Sequence, residues 1–98
     1  MDYKIIWSDS ALADPDSICS YIARRDPDAA ERVGLAIFDQ VGTLARFPFK
    51  GHPYRRGASG NLREVACPPH RIFYDVDESR QRVEILHIWH SARRDPEL

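Results

Sequence analysis

The segment Arg24-Arg25-Asp26-Pro27 divides the first half of the chain into two helical stretches. A residue that precedes a proline is disfavoured in the α region, so a helix before this segment should end near Asp26. Asp26 can also cap a second helix that has Pro27 at its first position. Two helices joined by such a tight turn form an αα-hairpin, which must bury its apolar side against another layer.

The first helix has two possible starting points. Asp9 and Ser10 carry cap-type side chains, and Asp14 could also act as an N-cap with Pro15 at the first helical position. A start at Asp14 would break or restart the helix there. Beyond either start, the apolar residues recur at spacings of three and four, as a helix with one buried face requires. These residues are Ile18, Tyr21 and Ile22.

The second helix carries a longer apolar stripe. It should run from Pro27 to about Phe47, because Pro48 cannot continue it. The stripe has helical spacing and predicts one buried side. It consists of Ala30, Val33, Ile37, Val41 and Leu44, and it is widened by Ala36, Phe38 and Ala45.

Four stretches have the β-branched and aromatic content of strands. Tyr3–Ser8 precedes the helices, and the other three follow a loop at residues 48–60: Leu62–Cys67, Arg71–Val76 and Val83–His90. Short turns between the last three predict an antiparallel meander. The order β-α-α-β-β-β predicts an α+β fold, and 98 residues suffice for a single domain.

Strand alternation assigns side chains to the two faces of the predicted sheet. Ile72, Tyr74 and Val76 should face the helices, with Arg71 on the other side. Both sides of the last strand are largely apolar, which predicts a central position in the sheet. Its two sides consist of Val83, Ile85, His87 and Trp89 against Glu84, Leu86, Ile88 and His90.

Charge is distributed unevenly along the chain. Residues 1–45 carry four basic and eight acidic side chains, while residues 46–94 carry ten basic and five acidic ones. Arginine suits phosphate or carboxylate recognition, so RNA, DNA-bound machinery and an acidic protein segment are all open as partners, as is a merely solvated surface. In the loop, basic residues alternate with aromatic ones, which also suits single-stranded nucleic acid. The basic residues there are Lys50, His52, Arg55 and Arg56.

Several classes of protein are not expected. No apolar run approaches the roughly 20 residues of a membrane span, and no secretory signal opens the chain, so we expect a cytoplasmic protein. The two cysteines form no disulfide framework. His87 and His90 are three positions apart on a strand and should point to opposite faces, so we expect no metal site. No phosphate-binding glycine loop is present, and we expect no cofactor.

Taken together, the order of these segments resembles the RelE/ParE toxin family over nearly the whole chain. The resemblance implies the toxin of a type II toxin–antitoxin pair, neutralised by a cognate antitoxin that wraps over the helices and sheet. The matching pieces are Ser8–Ala23, Phe47-Pro48, Gly51-His52-Pro53, Leu62-Arg63-Glu64-Val65, Arg71-Ile72-Phe73-Tyr74, and Val83–His90 leading to Arg93-Arg94.

The resemblance implies one of two targets. RelE-like members cut mRNA on the ribosome, and ParE-like members poison DNA gyrase. Arg71 matches the sheet arginine of the family, but Leu62 and Glu64 stand where RelE has paired lysines, and no tyrosine follows Tyr74. Only His90 is then available for proton transfer, which favours a toxin that acts by binding.

We therefore expect a ParE-like gyrase inhibitor. Its contact surface would consist of Arg63, Arg71, Arg93 and Arg94, with Lys50, Arg55 and Arg56 in the loop. The alternative is an mRNA interferase, an endoribonuclease in which Arg71 holds the scissile phosphate and His90 transfers the proton. A third possibility is an interaction module without toxicity.

Overall fold

The computed structural model describes residues 2–54, 61–96 and 98 and confirms the α+β fold. Strand β1 (Lys4–Trp7) leads into helices α1 (Asp9–Ala23) and α2 (Pro27–Arg46). The segment expected to be a loop contains a two-residue strand, and residues 55–60 lie outside the described part. The remaining strands are β2 (His52–Pro53), β3 (Leu62–Cys67), β4 (His70–Asp77) and β5 (Arg82–His90).

The strands form one sheet in the order β1-β5-β4-β3-β2. The antiparallel meander predicted for the last three strands is confirmed as β3-β4-β5. The central position predicted for the last strand is also confirmed, because β1 pairs with the free edge of β5. That pairing is parallel and places Lys4 opposite Arg82.

Helix α1 is continuous from Asp9, so of the two possible starts the earlier one is observed, and the helix is not restarted at Asp14-Pro15. Ser8 is the N-cap: its Oγ accepts from the backbone N–H of Ala11 and donates to the Leu86 carbonyl of β5, 3.0 Å away. Asp14 does not cap the helix, because its carboxylate accepts instead from the Ile88 N–H at 2.9 Å. Two contacts to β5, made by Ser8 and Asp14 ahead of Pro15, thus hold a helix whose proline lacks one backbone donor.

Helix α2 begins as predicted, with the Asp26 carboxylate accepting from the Ala29 N–H at 3.0 Å. Its stripe is largely buried, but Phe38 is 53% exposed and contacts Trp7. Tyr21 of α1, also predicted to be buried, is 70% exposed. Among the described residues, neither helix is long and apolar enough to cross a membrane. The hairpin thus leaves part of its apolar surface open to solvent.

The sheet is apolar on both sides. We call the side against α1 and α2 the helix face and the other side the second face. The helix face contains the main core, to which Ile37 and Leu44 of α2 belong together with buried residues of β4 and β5. The second face carries a smaller cluster around Phe73, covered by Tyr54 and Leu98. The sheet therefore has a buried surface on each side, which decides where its polar residues can act.

Candidate functional site

A β-bulge between β4 and β5 decides which side chains share a face. Phe73 pairs with His87, but the next residue of β4, Tyr74, pairs with Ile85, so Leu86 is an extra residue in β5. One extra residue reverses the alternation of side chains beyond it. Ile88 consequently joins Ile85 in the core on the helix face. The strict alternation predicted for the last strand is wrong beyond Leu86.

The bulge places Arg71 and His90 on opposite faces. Beyond it, Arg71 pairs with Trp89 and His70 pairs with His90. Directly paired residues of antiparallel strands share a face. His90 therefore lies on the helix face, where its ring meets that of His70 with centroids 5.3 Å apart. The structure does not bring together the two residues predicted to act in an RNase.

The guanidinium of Arg71 is held by two carboxylates on the second face. Its Nη2 donates to Asp95 Oδ1 at 2.6 Å, and its Nη1 lies 3.6 Å from Glu64 Oε1. The hydrogen bond that Arg71 donates to Asp95 is the largest cause that raises the pKa of Arg71 above its usual value. The Nε–H is buried and has no hydrogen-bond partner in the part of the chain that the structure describes. This cation is thus paired, but not through all of its donors.

Asp95 belongs to the C-terminal tail, residues 91–96 and 98, which lies over the second face. Trp89 Nε1 donates to the Arg94 carbonyl at 3.0 Å, and the Tyr54 hydroxyl donates to the Pro96 carbonyl at 3.1 Å. Sequence reasoning missed Asp95, because nothing local to the tail indicates which strand residue it meets. The only available signal was the presence of a carboxylate soon after a central strand.

The other predicted basic residues have different roles. Arg63 donates to the Gly51 carbonyl at 2.8 Å and stacks on Phe49, so it fixes the segment before β2. Lys50 donates to two side chains of α2. Arg93 and Arg94 are exposed at the end of β5, and the Arg93 guanidinium lies 3.7 Å from the Trp89 ring centre. Arg55 and Arg56 lie outside the described residues.

A cavity of about 420 Å³ lies between α1 and the ends of β4 and β5. Most of its surface is apolar, and its polar lining residues are Asp14, Ser17, His70, His90 and Arg93. His90 Nδ1 accepts from the Ala92 N–H at 3.0 Å. Among the described residues, no three histidine, cysteine, aspartate or glutamate side chains are grouped so as to hold a metal ion. The cavity therefore offers apolar surface with two histidines.

Comparison with known proteins identifies the family. The model of the family described as ParE toxin of type II toxin-antitoxin system, parDE, matches residues 5–95. The chain belongs to the ParE toxin family. The toxin is also 37% identical to toxin RelE2 of Caulobacter vibrioides over 91 residues, which are 92% of this chain and 97% of that protein. The predicted resemblance is confirmed at the level of a type II toxin.

Solved structures of toxin–antitoxin systems share the fold of the toxin. The chromosomal ParDE system from P. aeruginosa contains a chain with a TM-score of 0.74 and 22% identity, covering 90% of this chain and 95% of that one. The toxin–antitoxin complex RelBE2 from Mycobacterium tuberculosis contains one with a TM-score of 0.71 and 23% identity, covering 92% and 99%. At these identities the likeness concerns the fold.

We expect the toxin to lose stability in mild acid because of His70. This side chain is only 4% exposed, and its pKa is lowered from 6.5, first by burial and then by the nearby His90. The unfolded chain binds a proton at a pH where folded His70 does not, so the free energy of unfolding should fall as the pH drops below about 6.5. Urea unfolding between about pH 7.5 and about pH 5.5 measures this slope.

The variant His70→Gln tests the assignment. It removes the titrating group, so its free energy of unfolding should change less over the same pH range. The difference is limited to about 1.4 kcal/mol per pH unit, the value for one proton. Parallel pH profiles for the toxin and the variant would contradict a role for His70.

Proposed function

We propose that this toxin arrests growth by binding DNA gyrase, without catalysing a reaction. The proposal selects one of the two targets that the family resemblance implies. Its alternative is a ribosome-dependent mRNA interferase, which would need a cation and a proton-transfer group at the same phosphate.

The placement of Arg71 and His90 on opposite faces is the observation that carries the proposal. An RNase needs the group that binds the phosphate and the group that moves the proton within reach of one reacting centre. Here the sheet separates the two side chains, and Asp95 already occupies the Arg71 guanidinium. The geometry therefore supports inhibition by binding better than cleavage.

The exposed pair Arg93-Arg94 supports a binding surface at the end of β5. Both side chains are exposed, and Arg93 is stacked on Trp89, which orients its guanidinium before a partner arrives. Arginine beside an aromatic ring is typical of the residues that dominate protein interfaces. The predicted contact surface thus divides: Arg93 and Arg94 are accessible, Arg71 is covered by the tail, and Arg63 and Lys50 contact other parts of the toxin.

A cognate antitoxin would cover the groove between α1 and α2. This groove measures about 450 Å³, and Leu35 and Phe38 in its wall are more than half exposed. Twice as many acidic as basic residues lie in residues 1–45. An antitoxin segment with an apolar side and basic flanks would therefore fit it.

We expect DNA synthesis to stop before protein synthesis when the toxin is expressed alone in bacteria. Pulse labelling of both processes measures the order, and a supercoiling assay with purified gyrase tests direct inhibition. An early stop in protein synthesis with cleaved mRNA would establish the interferase instead. Growth without any arrest would contradict both targets and favour the interaction module.

Replacing both Arg93 and Arg94 with alanine should weaken gyrase inhibition by about tenfold or more, as expected when two arginines are lost from an interface. The matched control is Arg80→Ala with Arg82→Ala, which removes the same charge at the opposite end of β5, where both residues lie near Asp77. Equal losses in the two double variants would show a general effect of charge and would contradict a specific surface.

A further inference from the structure

Three hydrogen bonds between the second face and the tail share one direction. The donors are side chains outside the tail, and the acceptors are one carboxylate and two backbone carbonyls of the tail. Every peptide offers carbonyls, so the carboxylate of Asp95 is the part of this pattern that depends on sequence. The second face is therefore built to hold an extended segment that carries an acidic residue.

Asp95 does not use all the N–H donors of the Arg71 guanidinium. A guanidinium can bind a carboxylate through two parallel N–H donors, which is its strongest arrangement. Asp95 engages Nη2, Glu64 is 3.6 Å from Nη1, and the Nε–H remains buried without a partner among the described residues. A carboxylate that binds Nη2 and Nε side by side would gain a charge-assisted hydrogen bond that Asp95 does not make.

We propose that the second face is a binding site for an acidic segment of a partner protein, and that Asp95 closes this site in the free toxin. The proposal rests on the proposed function, since it gives Arg71 of the contact surface a carboxylate ligand on the target. The tail is thus an internal ligand that the partner displaces, and Arg71 becomes available when the tail lifts.

The tail can lift because it lies outside the helices and strands and is held on the second face by side chains, among them Arg71, Trp89 and Tyr54. An ordered tail loses conformational freedom in every residue, and this loss opposes its hydrogen bonds and apolar contacts. A segment outside the helices and strands can open locally without unfolding the domain. Removing the Asp95 charge should therefore shift the balance toward the open tail.

The variant Asp95→Asn tests whether the carboxylate closes the site. Hydrogen exchange of the Trp89 indole N–H, which donates to the tail, should become faster by about tenfold. Asp77→Asn is the matched control, because it removes one carboxylate from ion pairs at the other end of the sheet. The Trp89 exchange rate of this control should equal that of the toxin. An unchanged exchange rate in Asp95→Asn would contradict the proposal that Asp95 closes the site.

Binding of a blocked tetraglutamate peptide tests the ligand. Asp95→Asn should bind it about tenfold more tightly than the toxin does, because the peptide no longer has to break the charge-assisted hydrogen bond between Arg71 and Asp95. Adding Arg71→Lys, which keeps the charge but not the fork, should remove this gain. A gain that survives Arg71→Lys, or one seen with an oligothymidylate but not with the peptide, would overturn the acidic-segment site.

Gyrase inhibition separates this proposal from the proposed function. Stronger inhibition by Asp95→Asn, lost with Arg71→Lys, supports both. Peptide binding without inhibition by any form would leave the site standing and reject gyrase. Equal inhibition by all three forms would leave gyrase standing and reject the site.

Discussion

Replacing Gly51 with alanine is expected to destabilise the toxin by about 3 kcal/mol, from overpacking together with a damaged buried hydrogen bond. A Cβ at this position would lie 2.5 Å from the Glu64 carbonyl oxygen and 2.6 Å from the Tyr74 hydroxyl. The Gly51 N–H also donates to that buried hydroxyl at 2.8 Å. Neither neighbour can move easily, because one is backbone in β3 and the other is fully buried.

The matched control for Gly51→Ala is Gly42→Ala. Gly42 lies on the exposed side of α2, and a Cβ there would meet nothing within 4 Å. Alanine should stabilise this helical position by about 0.5 to 1 kcal/mol. Urea unfolding of both variants measures the contrast. If Gly51→Ala is as stable as the toxin, the close approach of Gly51 to the Tyr74 hydroxyl does not limit the side chain at this position.

Replacing Leu44 with alanine should cost about 2 to 5 kcal/mol, the range for emptying a leucine site in a packed core. Leu44 is 0% exposed and belongs to the core on the helix face. A typical domain has only about 5 to 15 kcal/mol of stability, so this loss is a large part of the total.

Leu35→Ala is the comparison in the same helix. Leu35 is 56% exposed, so its removal should change the free energy of unfolding by less than about 1 kcal/mol. It should instead weaken antitoxin binding if the antitoxin covers the groove between α1 and α2. Similar losses of stability at both positions would contradict the burial pattern of α2.

Local patterns predicted most of the architecture. The end of one helix and the cap of the next depend on Asp26 and Pro27, which act on their own neighbours. The stripe through Ile37 and Leu44 depends on helical spacing. These signals are short-range, so one sequence suffices to show them.

The features that the sequence did not predict depend on contacts between residues that are distant in the chain. An extra residue at Leu86 looks like any other apolar residue of a strand, yet it reverses every face beyond it. The unbroken helix through Pro15 depends on Ser8 and Asp14 meeting β5. The pairing of Arg71 with Asp95 joins a strand to a tail 24 positions away. No periodic pattern in the sequence indicates such pairings. The extra residue at Leu86 places Arg71 and His90 on opposite faces, so the sequence wrongly grouped them as an RNase pair.

The parallel pairing of β1 with β5 also determines when the sheet can fold during synthesis of the toxin. Ser8, at the end of β1, contacts Leu86, which is 78 positions later in the chain. Contacts between such distant segments form late, and chains emerge from the ribosome with the N-terminus first. Strands β1 and β4 therefore lack the strand that lies between them, β5, until this last strand has been made.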